Sequence, residues 1–155
     1  MKITLLVVGK TATGYIAQGI EEYASRVRRY VPMDIRVIPD VKRNQGPERQ
    51  KVLEGEAMLA TITGADYVTL LDERGREMTS REFAMDIDRK MVTLPSRWII
   101  VVGGPYGFSQ AMYDRANSLL SLSKMTFPHE MVRLFIAEQL YRAMTILRGE
   151  PYHHD

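Results

Sequence analysis

A run of β-branched residues that ends in two glycines and a proline constrains the fold of this chain more than any other feature. Residues 99–107 read IIVVGGPYG, and the first four form an apolar run typical of a strand buried on both faces. Gly103 and Gly104 predict a sharp turn with dihedral angles that favour glycine, and Pro105 removes a backbone donor. The turn leaves free backbone groups at the carboxyl end of the strand, where open α/β sheets bind small ligands. A tight turn without a ligand fits this stretch equally well.

Strand and helix patterns alternate along the rest of the chain. Strands are predicted at residues 2–8, 33–38, 67–71 and 97–102, with a shorter one from residue 118. Helices with apolar residues spaced three or four apart lie between them. Thr79 and Glu82 form a capping box at the start of the third helix, and Ser109 is placed to cap a short fourth helix. This alternation predicts an α/β fold, a single domain over residues 1–155 with one mainly parallel sheet flanked by helices.

Two further expectations concern the second helix and the end of the third strand. The sequence ERGR at residues 73–76 predicts a turn directly after the third strand. The second helix is expected to begin near Pro47, which suits a first-turn position, and to end at Gly64. Its predicted buried face consists of Val52, Leu53, Ala57, Leu59 and Ile62.

The composition bounds the class of protein. The chain has 155 residues, of which 45% are apolar and 26% are charged, as in ordinary globular domains. It contains no cysteine, which excludes disulfides, thiolate metal sites and cysteine nucleophiles. No apolar run approaches the length that spans a membrane, so a soluble, cytoplasmic protein is expected. The net charge of +2 neither requires nor excludes an anionic partner.

The final helix, predicted at residues 129–147, is apolar on nearly every side. Its apolar residues leave no wide polar face when they are plotted at about 100° per residue. They are Met131, Val132, Leu134, Phe135, Ile136, Leu140, Met144 and Leu147. A helix of this kind is buried from more than one side. Since the sheet covers only one side, a second copy of the chain is the expected cover, and a homodimer is predicted.

Several well-known site motifs are missing. The sequence has no Walker phosphate loop, no dinucleotide-binding glycine motif after the first strand and no GxSxG nucleophile turn. Its three histidines lack the spacing of a metal site, so no metal is expected. Three predicted strand ends remain as candidates for one pocket: Leu71-Asp72, Gly103-Gly104 and the polar residues 122–127. His129 and Arg133 lie beside it, four apart on one helix face, where a purely structural role is also possible.

The polar segment at residues 40–51 is the longest predicted loop. Its basic residues could contact phosphates, and a solvated loop is at least as consistent with the pattern. These residues are Lys42, Arg43, Arg49 and Lys51.

Four segments of the chain together resemble the RlmH family of SPOUT-class methyltransferases. They are VVGGPYGFS, LSLSKMTFPHEMVR, AEQLYRA and the terminal PYHH. The opening KITLLVVGK, the length and the order of elements agree over the whole chain. This family methylates N3 of a pseudouridine in 23S ribosomal RNA. The resemblance implies a C-terminal trefoil knot, an S-adenosylmethionine site within it, a homodimer and an assembled ribosome as the substrate.

The resemblance also assigns residues to the two parts of the site. The S-adenosylmethionine site would comprise Leu71, Gly103, Gly104, Leu122, Ser123, Lys124, Met125, Thr126 and Phe127. The catalytic residues would be His129, Arg133, Arg142, Tyr152 and His153, and Tyr141 would be a further polar residue on the RNA side. Family members commonly end in Tyr-His followed by Arg or Lys, whereas this chain has His154, which titrates near neutral pH.

The implied reaction needs alignment and removal of a proton. The sulfonium methyl group is already electrophilic, so the protein must place the nucleophilic nitrogen in line with it. His129 and His153 are the candidate bases, and solvent could also remove the proton. Two other functions fit the residues: a non-enzymatic nucleotide- or RNA-binding module, and a SPOUT methyltransferase with another RNA target.

Overall fold

Five parallel strands form one sheet in a computed structural model that describes residues 1–41, 46–94 and 96–155. The strands are β1 (Lys2–Val8), β2 (Met33–Ile38), β3 (Tyr67–Glu77), β4 (Arg97–Val102) and β5 (Ser118–Ser121). Their order across the sheet is β2-β1-β4-β3-β5, which places the IIVV run at its centre. Residues 99–102 are buried along their whole length, and the predicted parallel sheet is confirmed.

Helices cover both faces of this sheet. They are α1 (Gly14–Val27), α2 (Pro47–Leu59), α3 (Ser80–Thr93), α4 (Gln110–Arg115) and α5 (His129–Arg148). Successive residues of β4 alternate between two apolar clusters, one shared with α1, α3 and α5 and the other with α2 and α4. A sheet buried on both faces explains the unbroken apolar run of its central strand. No helix in the described part of the chain is long and apolar enough to cross a membrane.

The capping predictions hold, while the predicted face of the second helix is only partly right: Ala57, Leu59 and Ile62 pack against an apolar cluster. Thr79 and Glu82 form both bonds of the capping box, and the Ser109 hydroxyl accepts from the Met112 N–H at 3.4 Å. Helix α2 ends at Leu59, well before Gly64, and Val52 on its predicted inner face is exposed. The helix instead buries Glu54, Gly55 and Met58. Gly55 permits this because an added Cβ would lie 2.4 Å from the Ser109 hydroxyl oxygen of the neighbouring helix.

The turn predicted at residues 73–76 is also wrong, because β3 continues through it to Glu77. After a break in register, Leu120 of β5 is paired with Leu71 and again with Arg76. Gly75 makes the crossing possible, since a Cβ there would lie 2.5 Å from the backbone nitrogen of Leu120. Gly75 therefore lies directly against the backbone of β5.

The final helix is expected from the sequence to be covered by a second copy of the chain, but much of its apolar surface is covered by other helices of the same chain. Helix α5 packs between α1 and α3, and Gly19 of α1 lets Leu134 approach closely. Ile136, Ala137 and Leu140 are fully buried there. Other apolar residues of the helix remain only partly covered: Met131, Val132, Leu134, Phe135 and Leu147.

Candidate active site

A cavity of about 580 Å³ opens at the carboxyl ends of β4 and β5. It also borders β3 at the point where the register between β3 and β5 breaks. Its floor is formed by buried residues, among them Val102, Phe108 and Leu120. Its rim is formed by exposed residues from three loops and the start of α5, including Arg74, Tyr106 and His129. The position agrees with the site expected from parallel α/β sheets.

Eight of the nine predicted cofactor residues line this cavity. They are Leu71, Gly103, Gly104, Leu122, Ser123, Met125, Thr126 and Phe127. Lys124 does not line it: its side chain is 89% exposed, and its ammonium nitrogen lies 4.0 Å from a carboxylate oxygen of Glu77. Residues separated by more than 50 positions in the sequence thus meet in one pocket.

Gly103 and Gly104 are needed in this turn because a side chain would not fit, and not because their dihedral angles exclude other residues. Neither Gly103 nor Gly104 has a positive φ, so the predicted need for glycine-specific dihedrals is wrong. In this turn only Gly107 has a positive φ, of 84°. A Cβ at Gly104 would lie 2.5 Å from Oε1 of Glu54, and one at Gly103 would lie 3.1 Å from the Phe108 ring.

Glu54 lies directly behind this turn. Its side chain is 2% exposed, and its Oε2 accepts a bond of 3.0 Å from the Gln50 amide. Its other oxygen, Oε1, is buried without a hydrogen-bond partner among the described residues. A buried carboxylate oxygen without a donor is costly. Because Oε1 lies where a Cβ on Gly104 would point, the position of Gly104 is closely tied to that of Glu54.

An acidic side chain in β3, just after the break in register with β5, belongs to the cavity wall. Asp72 accepts hydrogen bonds from the Tyr113 hydroxyl and from the backbone N–H of Arg74, the latter at 2.8 Å. Burial opposes ionisation of Asp72, but these hydrogen bonds outweigh it and leave its pKa below the usual value. Asp72 lies at one of the three strand ends that the sequence predicts to form the pocket, although it is not among the predicted cofactor residues, and its position in the cavity wall agrees with this. No sequence signal points to Tyr113, whose role depends on the packing of α4 beside β3.

Among the five predicted catalytic residues, only His129 is at the cavity. It is exposed on the rim, as the first residue of α5. Arg133 lies one turn further and is 1% exposed. Its guanidinium donates to the carbonyl oxygens of Val8 and Gly9, at 2.5 and 2.9 Å, and to the Thr11 hydroxyl at 2.9 Å. Burial lowers the pKa of Arg133, although an arginine remains charged in such a site.

The other three predicted catalytic residues form a separate cluster with Glu138. Arg142 donates to Oε1 of Glu138 at 2.5 and 2.9 Å and contacts Nδ1 of His153 at 3.1 Å. The Tyr152 hydroxyl donates to the same Glu138 oxygen at 3.0 Å. Burial and its hydrogen bonds to Tyr23 and Glu138 raise the pKa of Tyr152, so the phenol stays protonated near neutral pH.

Aromatic and ionic contacts hold the C-terminal tail against the protein. The rings of Tyr141 and Tyr152 meet edge to face with centroids 4.7 Å apart. Asp155 is bonded to His153 at 2.8 Å and to Arg81 of α3 at 2.7 Å. His154 between them is exposed. The tail is therefore docked and presents only part of its polar surface.

A second cavity, of about 270 Å³, lies between the first cavity and this cluster. It shares Leu122, Ser123 and Phe127 with the first and reaches Glu138. Arg142, Tyr152 and His153 line neither cavity. No group of three histidine or acidic side chains in the described ranges could hold a metal ion. Of the basic loop residues, Lys51 lines the first cavity, whereas Lys42 and Arg43 lie outside the described residues.

Comparison with known proteins decides the family. A family model described as "Predicted SPOUT methyltransferase" matches residues 1–153. This chain belongs to the SPOUT methyltransferase family. The resemblance to the RlmH family is also confirmed, because proteins named "Ribosomal RNA large subunit methyltransferase H" align over the whole chain. The protein from Parabacteroides distasonis is 52% identical, and that from Porphyromonas gingivalis is 51% identical, each with 100% of both chains covered.

A solved structure supports the same fold. The structure of a probable methylase family protein from Haemophilus influenzae superimposes with a TM-score of 0.51 at 13% sequence identity. The match covers 99% of this chain and 70% of that one. At this identity, the likeness concerns the fold alone.

Proposed function

We propose that this chain transfers the methyl group of S-adenosylmethionine to N3 of a pseudouridine in 23S ribosomal RNA on the assembled ribosome. One observation carries the proposal: eight of the nine residues assigned to the cofactor converge on one cavity at the carboxyl side of the sheet. The names of the relatives support large-subunit ribosomal RNA as the substrate. We also propose that residues 1–155 act as a single domain and that the protein acts in the cytoplasm, where its ribosomal substrate would be found.

The cavity fits the proposed cofactor in size and in chemistry. Its volume of about 580 Å³ lies within the range of small-molecule sites. Leu71, Leu122 and Phe127 offer apolar surface for the adenine ring. Gly103 and Gly104 both line the cavity, so their backbone groups lie within reach of a ligand there. When bound, the cofactor supplies an electrophilic methyl group.

The residues around the cavity would then orient the acceptor base and hold its proton. His129 stands on the rim, where its imidazole could accept the N3 proton from a base that enters from solvent. Arg133 would act indirectly, because its guanidinium is buried against Val8, Gly9 and Thr11. We assign it to positioning the start of α5, and with it His129.

Arg142 is too far along α5 to reach the same base within one chain, and Tyr152 and His153 of the tail are held beside it. His129 and Arg142 are 13 positions apart, which corresponds to about 20 Å along a helix. We therefore propose a homodimer in which Arg142, Tyr152 and His153 of one protomer face the cavity of the other. The partly covered apolar residues of α5, such as Phe135 and Leu147, would contribute to the interface.

We also propose that the chain forms the trefoil knot of the SPOUT class. Support comes from the pairing of Leu120 with both Leu71 and Arg76, and from Gly75, which lies against the backbone of β5. A segment that crosses β5 in this way forms one side of a loop around the chain leading to α5. The cofactor cavity borders this crossing, so the knot would hold its walls together.

Methyl transfer to defined substrates tests the function. Ribosomes, free large subunits and bare RNA from a strain that lacks this protein would be incubated with the enzyme and labelled cofactor. We expect label on the assembled ribosome, mapped to N3 of a pseudouridine. Label on a different base or RNA would point to another SPOUT activity. Calorimetry adds a second arm, since a non-enzymatic RNA-binding module would not bind S-adenosylmethionine.

A further inference from the structure

Asp72 is a nearly buried acidic side chain in the wall of the larger cavity. Its side chain is 9% exposed and is held by Tyr113 from α4 and by Arg74 from the extended part of β3. The Arg74 guanidinium donates to Asp72 Oδ1 at 3.4 Å and lies 4.6 Å from the centroid of the Tyr113 ring. All three residues line the cavity. The carboxylate therefore has a fixed orientation before any ligand arrives.

These bonds leave Asp72 able to accept one more hydrogen bond. An ionised carboxylate has about four acceptor positions. Both bonds from Arg74 go to Oδ1, and the Tyr113 hydroxyl donates to Oδ2. Among the described residues, nothing else donates to Oδ2, so one acceptor position on it is left for a ligand in the cavity.

The chemistry of the cofactor limits which group can use this position. Its donors are the adenine amino group, the two ribose hydroxyls and the methionine ammonium. The positive charge of Arg74 already compensates Asp72, so this carboxylate is a weak partner for the ammonium or the sulfonium. We assign the adenine ring to the apolar surface of Leu71, Leu122 and Phe127, which also line the cavity. A ribose hydroxyl remains, and carboxylates bind such hydroxyls in other nucleotide sites.

We propose that Asp72 is a cofactor-binding residue whose carboxylate accepts a hydrogen bond from a ribose hydroxyl, with Tyr113 and Arg74 as its positioning residues. This inference rests on the proposed function, since it takes the cofactor to be an adenosine derivative. The bonded Tyr113 would fix which oxygen faces the ribose, and Arg74 would keep the carboxylate ionised.

A thermodynamic cycle between side chain and hydroxyl tests this. Calorimetry would measure the binding of S-adenosylhomocysteine and of its 2′-deoxy and 3′-deoxy forms to the wild type and to Asp72→Asn. We expect Asp72→Asn to weaken S-adenosylhomocysteine roughly tenfold, the size expected for a hydrogen bond to a charged group. One of the two deoxy forms should bind the wild type about tenfold more weakly than S-adenosylhomocysteine does. Asp72→Asn should not weaken the binding of that form any further.

Matched variants separate this role from a purely structural one. Asp114→Asn makes the same chemical change next to Tyr113, on an exposed carboxylate bonded to Gln110, and should leave all three affinities unchanged. If Asp72→Asn fails to fold, Tyr113→Phe replaces it in the cycle. Its loss of affinity must again disappear for the ligand that lacks one particular ribose hydroxyl. Equal losses for all three ligands, or no loss, would overturn the inference. Failure of the wild type to bind S-adenosylhomocysteine would instead overturn the proposed function.

Discussion

At position 104 an added side chain would collide with a buried carboxylate behind the turn. Its Cβ would lie 2.5 Å from Glu54 Oε1, whereas a Cβ at Gly103 would meet the more adjustable Phe108 ring at 3.1 Å. We expect Gly104→Ala to lower the free energy of unfolding by about 1–3 kcal/mol, as overpacking does, and Gly103→Ala to cost less. Both should weaken S-adenosylmethionine binding, and the valine variants should abolish it. Urea denaturation and calorimetry check this, and a Gly104→Ala protein as stable as the wild type would contradict it.

Asp66 should make stability depend on acid pH. Arg97 donates to its carboxylate at 2.7 and 3.0 Å, and this bonding lowers the pKa of Asp66 from 3.8 to about 2. Because the folded pKa is below the unfolded one, the contribution is complete above about pH 4 and is lost as the pH falls towards 2. Asp66→Asn should therefore lose on the order of 2 kcal/mol at pH 7, and the difference should shrink below pH 4. Urea titrations at pH 7, 4 and 3 measure it. A difference independent of pH would show that the pair contributes only through packing.

Elements with local signals were predictable, and elements defined by distant partners were not. The central strand and the capping box of α3 follow from neighbouring residues alone. The extension of β3 to Glu77 depends on pairing with Ser121, more than 40 positions away, and its sequence ERGRE resembles a turn. The buried face of α2 depends on the small residue Gly55 beside Ser109 of α4, which outweighs the apolar pattern.

The candidate site shows the same division. Its cofactor residues were assigned by resemblance to a family, because no local pattern brings Leu71 and Phe127 together. The catalytic residues were assigned in the same way, yet they lie in three different places in the folded chain. Sequence spacing could not show this. Arg133 donates to a carbonyl oxygen at the end of β1, whereas His129, one helical turn away, lies on the cavity rim.

The docked tail should matter more for the reaction than for the fold. Deleting residues 152–155 removes the Tyr141–Tyr152 contact, which should cost about 1–2 kcal/mol of stability. Cofactor affinity should be nearly unchanged, because none of these residues lines the cavity. Methyl transfer to ribosomes should fall at least tenfold. His154→Arg is the matched control: it should keep full activity, because it places a fixed cation on an exposed residue of an otherwise intact tail. A truncated enzyme with the full-length rate would show that the tail has only a structural role.

At the scale of the whole molecule, the partly covered apolar residues of α5 predict self-association. A monomer would leave Met131, Phe135 and Leu147 partly exposed together on one helix. We expect sedimentation at low micromolar concentration to show a dimer and no folded species of 17.8 kDa. A stable, folded monomer as the main species would contradict both the dimer and the shared active site.

A mixture of two inactive proteins tests whether each active site is shared between protomers. Thr126→Trp would fill the cavity from its exposed rim and leave the tail intact, whereas the deletion of residues 152–155 leaves the cavity intact. In a mixed dimer, one site would combine an open cavity with a complete tail, and the other site would have neither. Random pairing of equal amounts makes half of the dimers mixed, so co-expression should restore about a quarter of the wild-type activity. If each chain instead used its own tail, the mixture would show no more activity than the two variants measured separately.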